Sequence, residues 1–250
     1  MDELSRQVIA TLLVSLRIAP AFAFAPPFTL LRVPALVRLA LSVAISLWLV
    51  SLYPDQTWRQ GASSNIAVSV LAELFLGISL ALALQLAFAA LLTAGRAIDI
   101  QAGFGLSLLI DPTTRTQVPL AGTLLSYAAG AVFFLTSGPA DLLALLAGSV
   151  QQVPVGTGGT DGRLEPLLAY SGSVFMLAFG AAGLIILTLF IVDLAIAFMS
   201  RTLPQMNVML LGFQVKTLVV LAILPVAIGL SAGLLLRVIR SAFQAMASLV

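Results

Sequence analysis

The sequence has no cysteine and no histidine. The first absence excludes disulfides, thiolate chemistry and cysteine metal sites. The second removes the commonest general base and the commonest transition-metal ligand. Charge is scarce as well: of 250 residues, 12 are Lys or Arg and 10 are Asp or Glu. That is 9% charged, against roughly 25% in a soluble domain. Lys216 is the only lysine. What fills the space is apolar, with 60% hydrophobic residues and a mean hydropathy of +1.13. Such a chain cannot cover a globular surface with polar groups, which excludes a water-soluble enzyme, a disordered segment and a nucleic-acid-coating protein. The net charge of +2 is a small imbalance and no basic patch.

Chemistry-bearing motifs are equally thin. The carboxylates stand singly, never as a DxD or ExxE pair, so neither a metal nor another cofactor is expected. Gly156-Thr157-Gly158-Gly159 lacks the Lys-Ser/Thr that completes a phosphate-cradling loop, and reads as a turn. Residues 21–25 offer small-residue cleavage-like sites, but Asp2, Glu3 and Arg17 are wrong for a secretory leader. The segment is expected to stay as a first helix.

A bilayer crossing takes about 20 predominantly apolar residues. Candidates run over 4–26, 35–53, 66–95, 118–136, 167–198 and 205–236. Ser137-Gly138-Pro139 reads as a stop and restart, and the apolar stretch 142–150 is too short to cross alone. The expectation is an all-α integral membrane protein of one domain, 1–250. It has about six long hydrophobic helices arranged as hairpins and a short re-entrant or returning arm, with seven spans as the alternative. Arg32 and Arg38 in the first connection and Arg237 and Arg240 in the tail do not settle an orientation. A chain that defies the positive-inside rule need not lie in lipid in the usual way.

Charges inside apolar runs stand out, because each costs about 2.5–3.5 kcal/mol at a helix centre. Arg17, Glu73, Asp193 and Lys216 are of this kind. Asp193 and Lys216 flank the turn at Pro204 at similar distances, so they either pair across a hairpin or snorkel separately. Gly229 and Gly233 form a GxxxG pattern suited to close helix packing, although such matches also arise by chance. The most unusual stretch is 94–112, placed in a linker over 96–117. Arg96, Asp99 and Gln101 lead into Gly103-Phe104-Gly105, then an apolar run through Leu106, Leu109 and Ile110 to Asp111-Pro112, with Pro119 opening the next helix. Apolar irregular backbone at membrane depth is tolerated when buried in protein or lining a cavity. This one suits a plug or gate; the plain alternative is an ordinary interhelical loop.

Here the chain resembles a known family. The run from Leu71 through Pro119, especially Ala94-Gly95, Gln101-Ala102-Gly103 and Asp111-Pro112, is similar to the FliR flagellar biosynthesis proteins. Arg17, Ala25-Pro26, Val33-Pro34, Val37-Arg38, Arg201, Pro204-Gln205 and Gly212-Phe213 fit the same pattern, while 142–166 fits poorly. The resemblance implies a core subunit of the bacterial type III export gate, in the inner (cell) membrane at the flagellar basal body. It would assemble with FliP-, FliQ- and FlhB-like membrane subunits, contact lipid and pass unfolded flagellar export substrates, without nucleic acid or catalysis. It also implies a channel plug over Gly103 to Pro119, with Phe104, Leu106, Leu109 and Ile110 as apolar fillers. Three other readings are an injectisome subunit of the same family, a secondary transporter using Glu73, Asp193 and Lys216, and an intramembrane enzyme with a Ser–Lys pair.

Overall fold

Long runs of Leu, Ala, Ile and Val, interrupted only where glycine or proline intervenes, fold as helices throughout the described part of the computed structural model. That part comprises residues 3–30, 33–57, 66–104, 119–156, 165–202 and 208–250. In chain order the helices are α1 (Glu3–Phe24), α2 (Ala35–Leu52), the single turn α3 (Pro54–Thr57), α4 (Ile66–Ala102), α5 (Leu120–Leu135), α6 (Gly138–Gln152), α7 (Glu165–Thr202), α8 (Val208–Leu230) and α9 (Ala232–Ser248). No strand occurs among the described residues. Among the described residues five helices are long and apolar enough to cross a membrane, or six if the bent pair α5–α6 is one broken span. The protein is an all-α, multi-pass membrane protein.

Three boundaries differ from the sequence expectation. Helix α4 runs past residue 95 to Ala102, so Arg96, Asp99 and Gln101 are helical rather than part of a linker. Nothing breaks the backbone until Gly103, whose φ of 88° is a left-handed conformation that ends helices cheaply only at glycine. The last long helix is divided at Ser231 into α8 and α9. Ser231 is buried there, and its hydroxyl donates to the Ala181 carbonyl at 3.1 Å. The arm is longer than expected: α6 has 15 residues, which rise about 22 Å at 1.5 Å each. A bend of 74° separates it from α5.

The chain forms two compact units, each assembled from separated stretches. Unit one comprises 1–87, 133–173 and 239–250. Phenylalanines mark part of its core: Phe28 meets Phe22 at 4.8 Å and Phe133 at 6.1 Å between ring centroids. Helix α2 turns Ser42, Ser46, Leu49 and Val50 inward and leaves Leu36, Leu39, Leu47 and Trp48 exposed. Its two serines satisfy their hydroxyls on their own helix, donating to Leu39 and Ser42 carbonyls. Polar groups inside and large apolar ones outside suit lipid or protein neighbours and not water. Unit two comprises 88–132 and 174–238. Small buried residues dominate it, among them Ala90, Ala94, Ala121, Ala129, Ala178, Ala181, Ala182 and Ala227, so its helices approach closely.

Candidate functional site

Unit one holds a dry ionic hub. Arg17 on α1 and Glu73 on α4 are both 0% exposed. The guanidinium meets the carboxylate edge to edge, with Nε to Oε2 at 2.7 Å and Nη2 to Oε1 at 2.8 Å. Arg17 Nη1 donates further to the carbonyls of Ser149 at 2.7 Å and Val153 at 2.9 Å. Those carbonyls close the C-terminal end of α6, where the helix dipole favours a cation. Glu73 Oε1 also accepts the Gly156 amide at 2.9 Å. One turn along α4, a Cβ at Gly77 would lie 2.5 Å from the Arg17 carbonyl oxygen. Glu73 and Gly77, four residues apart, therefore share one stripe of α4. The first takes the Arg17 side chain; the second lets the α1 backbone come close.

Unit two builds the roots of the 103–119 segment. Asp99, 7% exposed, accepts the Ala121 amide on Oδ1 at 3.1 Å. This is N-terminal capping of α5 by a carboxylate from another helix, aided by the positive end of the helix dipole. Asp99 Oδ2 is buried without a partner among the described residues. Gly95 lies one turn before Asp99, and a Cβ there would run into the Gly122 backbone. At the other root, Lys216 on α8 donates from Nζ to the Gln101 carbonyl at 3.2 Å, in the last turn of α4. Lys216 Nζ also contacts Asp193 Oδ1 on α7; their side chains are 19% and 40% exposed. Gly103 follows directly, its amide donating to the Ile100 carbonyl at 3.1 Å. Pro119 begins α5 from the far side, its carbonyl accepting the Thr123 amide at 2.9 Å.

The residues singled out in the sequence thus fall into two groups. Arg17 and Glu73 come together in unit one. Gln101, Asp193 and Lys216 come together in unit two, beside Gly103 and Phe104. Gly105, Leu106, Leu109, Ile110, Asp111 and Pro112 lie outside the described residues. Glu73 is paired with Arg17 within unit one, and Asp193 and Lys216 engage each other within unit two. Among the described residues no three of His, Cys, Asp or Glu gather as they would around a metal.

Sequence reasoning missed several participants. Among the described residues the GxxxG pair is not where helices meet: a Cβ at Gly229 or Gly233 would touch nothing there within 4 Å. Close approaches occur instead at Gly77, Gly95 and Gly122, and at Gly138 against Phe133. A usable signal existed in the i,i+4 spacing of Glu73 with Gly77 and of Gly95 with Asp99. No local signal marks the carbonyls of Ser149 and Val153, which become acceptors only once α6 has docked.

Residues 8–246 match the model of the family described as bacterial export proteins, family 1. Over 216 residues the chain is 31% identical to the flagellar biosynthetic protein FliR of Bacillus subtilis, covering 83% of this chain and 81% of that protein. It is likewise 31% identical over 229 residues to the flagellar biosynthetic protein FliR of Aquifex aeolicus, covering 90% and 88%. A more distant relative is the Yop proteins translocation protein T of Yersinia pestis, 22% identical over 185 residues, with 73% and 71% covered.

Proposed function

This chain belongs to the bacterial export proteins, family 1, and on that footing we propose that it is a core subunit of the flagellar type III protein-export gate. The likeness to FliR proteins at 31% identity, against 22% for the Yersinia translocation protein, favours flagellar use over an injectisome. The gate would sit in the inner membrane at the flagellar basal body, with FliP-, FliQ- and FlhB-like subunits beside it. Unfolded flagellar proteins would pass through. The chain works as one domain, since the boundaries between its two units fall inside α4, α5, α7 and α9.

One observation carries the gating role: the segment 103–119 is held at both roots by charged groups. Asp99 grips the start of α5, and Lys216 grips the end of α4. The segment between them carries Phe104, Leu106, Leu109 and Ile110, which supply the seal, and Gly103 and Gly105, which supply freedom to move aside. A protein-conducting pore must hold back ions at rest yet release polypeptides of any sequence. Apolar side chains achieve this by dewetting, without selecting a substrate. No catalytic group is required.

The surface of α7 supports placement in an assembly. Asp193 keeps 40% of its side chain exposed among exposed Phe190, Ile191 and Leu194. A carboxylate there is costly in hydrocarbon, so this part of α7 is turned to water or protein. The test is genetic and biochemical. Cells lacking the chain should make no flagellar filament and not swim, and the tagged chain should co-purify from mild detergent with FliP- and FliQ-like subunits. Normal motility in the deletion strain would overturn the flagellar reading, and solute uptake by the isolated chain would favour a transporter.

A further inference from the structure

We propose that the outer face of α4 in unit two, centred on Arg96, docks an apolar helix of a partner membrane subunit that presents an aspartate or glutamate to the guanidinium. The proposal rests on the export-assembly reading above and adds to it one contact face and the chemistry of its partner.

Over its last turns α4 buries Leu91, Ala94, Ile98 and Ala102. Its other side carries Leu92, Thr93, Arg96 and Ile100, all exposed. Residues 92, 96 and 100 follow one another at i,i+4 spacing, so they lie along one line of the helix. Leu92 and Ile100 alone would suit lipid tails as well as protein. Arg96 decides between them. Among the described residues it makes no hydrogen bond and no ion pair. The carboxylate on the next turn, Asp99, is turned inward onto the Ala121 amide. A guanidinium without a partner is costly in hydrocarbon. Where a cation ends an apolar run, the usual remedy is to reach a headgroup. Arg96 does not end one: Ile100, one turn further along the same line, is 67% exposed. An arginine set inside an apolar face, with an apolar side chain on either side of it, fits a protein surface that offers an acceptor at the matching point. A carboxylate meets its fork with two parallel hydrogen bonds.

The charge balance of unit two points the same way. Its described acids are Asp99, committed to the start of α5, and Asp193, paired with Lys216. Its other described cations are Arg96, Arg201 and Arg237, all exposed. No described acid of unit two is left over for them, so their compensating negative charge comes from outside the unit. Complementary charge across an interface also fixes register and rejects wrong partners, which an otherwise apolar face cannot do.

The test uses the tagged full chain in cells that make the export assembly, with partner subunits recovered per tagged chain as the readout. Arg96→Gln strands the partner's carboxylate and should lower recovery of at least one subunit roughly tenfold; Arg96→Glu, which sets like charges face to face, should lower it further. The purified Arg96→Gln chain in detergent should unfold at the parent's temperature, because the guanidinium bonds to nothing in its own chain. A photo-crosslinking residue at position 100 should join the chain to a partner helix within a turn or two of an Asp or Glu. Changing that acid to Arg should restore recovery in Arg96→Glu. Undiminished recovery by both variants overturns the docking face. Crosslinks to lipid alone, or to a partner helix with no acid nearby, also overturn it. A lowered unfolding temperature of Arg96→Gln makes Arg96 an internal counter-charge to Asp99 and overturns it equally. The parent chain separates this idea from the reading beneath it. If the parent recovers no partner subunit, the export-assembly reading fails; if it recovers them and both Arg96 variants do so as well, only the docking face fails.

Discussion

Arg17 and Lys216 are both cations within apolar helices, both paired with a carboxylate, and both donors to carbonyls at the end of a helix. Their surroundings separate them. Arg17 is wholly buried and makes four hydrogen bonds, two to Glu73 and one each to the Ser149 and Val153 carbonyls. Lys216 is part-exposed, with one carboxylate and one carbonyl. The guanidinium's rigid fork suits a permanent joint between α1, α4 and α6; the lysine's compact charge suits a contact that can open. Burial and bond count, more than residue class, separate the two pairs.

That contrast can be broken in graded ways. The largest effect should come from Arg17→Met, which strands a fully buried Glu73 and should cost about 3–5 kcal/mol. The check is loss of folded protein from the membrane fraction. Adding Glu73→Met should recover part of the loss, and only part, because the Ser149 and Val153 carbonyls and the Gly156 amide then lose their partners. If Arg17→Met accumulates like the parent protein, the hub is not a weld.

Next in size is Gly95→Ala, whose Cβ would strike the Gly122 backbone; forcing it in should cost about 1–3 kcal/mol. Thermal unfolding in detergent should show a clear fall, with Gly77→Ala behaving alike in unit one. Gly229→Ala, facing open space, should be neutral or raise stability by up to about 1 kcal/mol from helix propensity alone. Equal behaviour of the three would erase the distinction between close and open glycines. Smaller again, Asp99→Ala should cost about 0.5–2 kcal/mol as a lost cap, seen as faster hydrogen exchange at the Ala121 amide. Smallest of all, Asp193→Asn should change stability by less than about 1 kcal/mol, because the pair is partly exposed. A stability loss matching that of Arg17→Met would make Lys216 a second weld.

Much of the fold was legible because length and apolarity alone decide what can cross a membrane. Five of the six expected spans appear as long apolar helices, and α5 pairs with the returning arm. Boundaries failed where they depended on backbone detail. Arg96, Asp99 and Gln101 looked like linker residues because polarity in an apolar chain suggests an exit from the membrane. They are helical because two of them find partners, Asp99 on α5 and the Gln101 carbonyl on α8, and helix termination waits for Gly103. The break at Ser231 was hidden for a related reason: its hydroxyl partner, the Ala181 carbonyl, is 50 residues away. Glycine spacing misled in one place and was overlooked in two, since GxxxG reports the capacity for close approach and not which helix will approach. The candidate site was visible as a list of charges. Which of them form a dry hub and which hold the roots of 103–119 required the packing.

The central claim is that the segment between those roots closes a protein-conducting channel. Resting ion conductance of the assembled complex, with and without residues 106–111, tests it most directly. The account predicts that the deletion assembles with its partner subunits and leaks ions at rest, while the intact complex does not. An assembled deletion complex as tight as the intact one would contradict it.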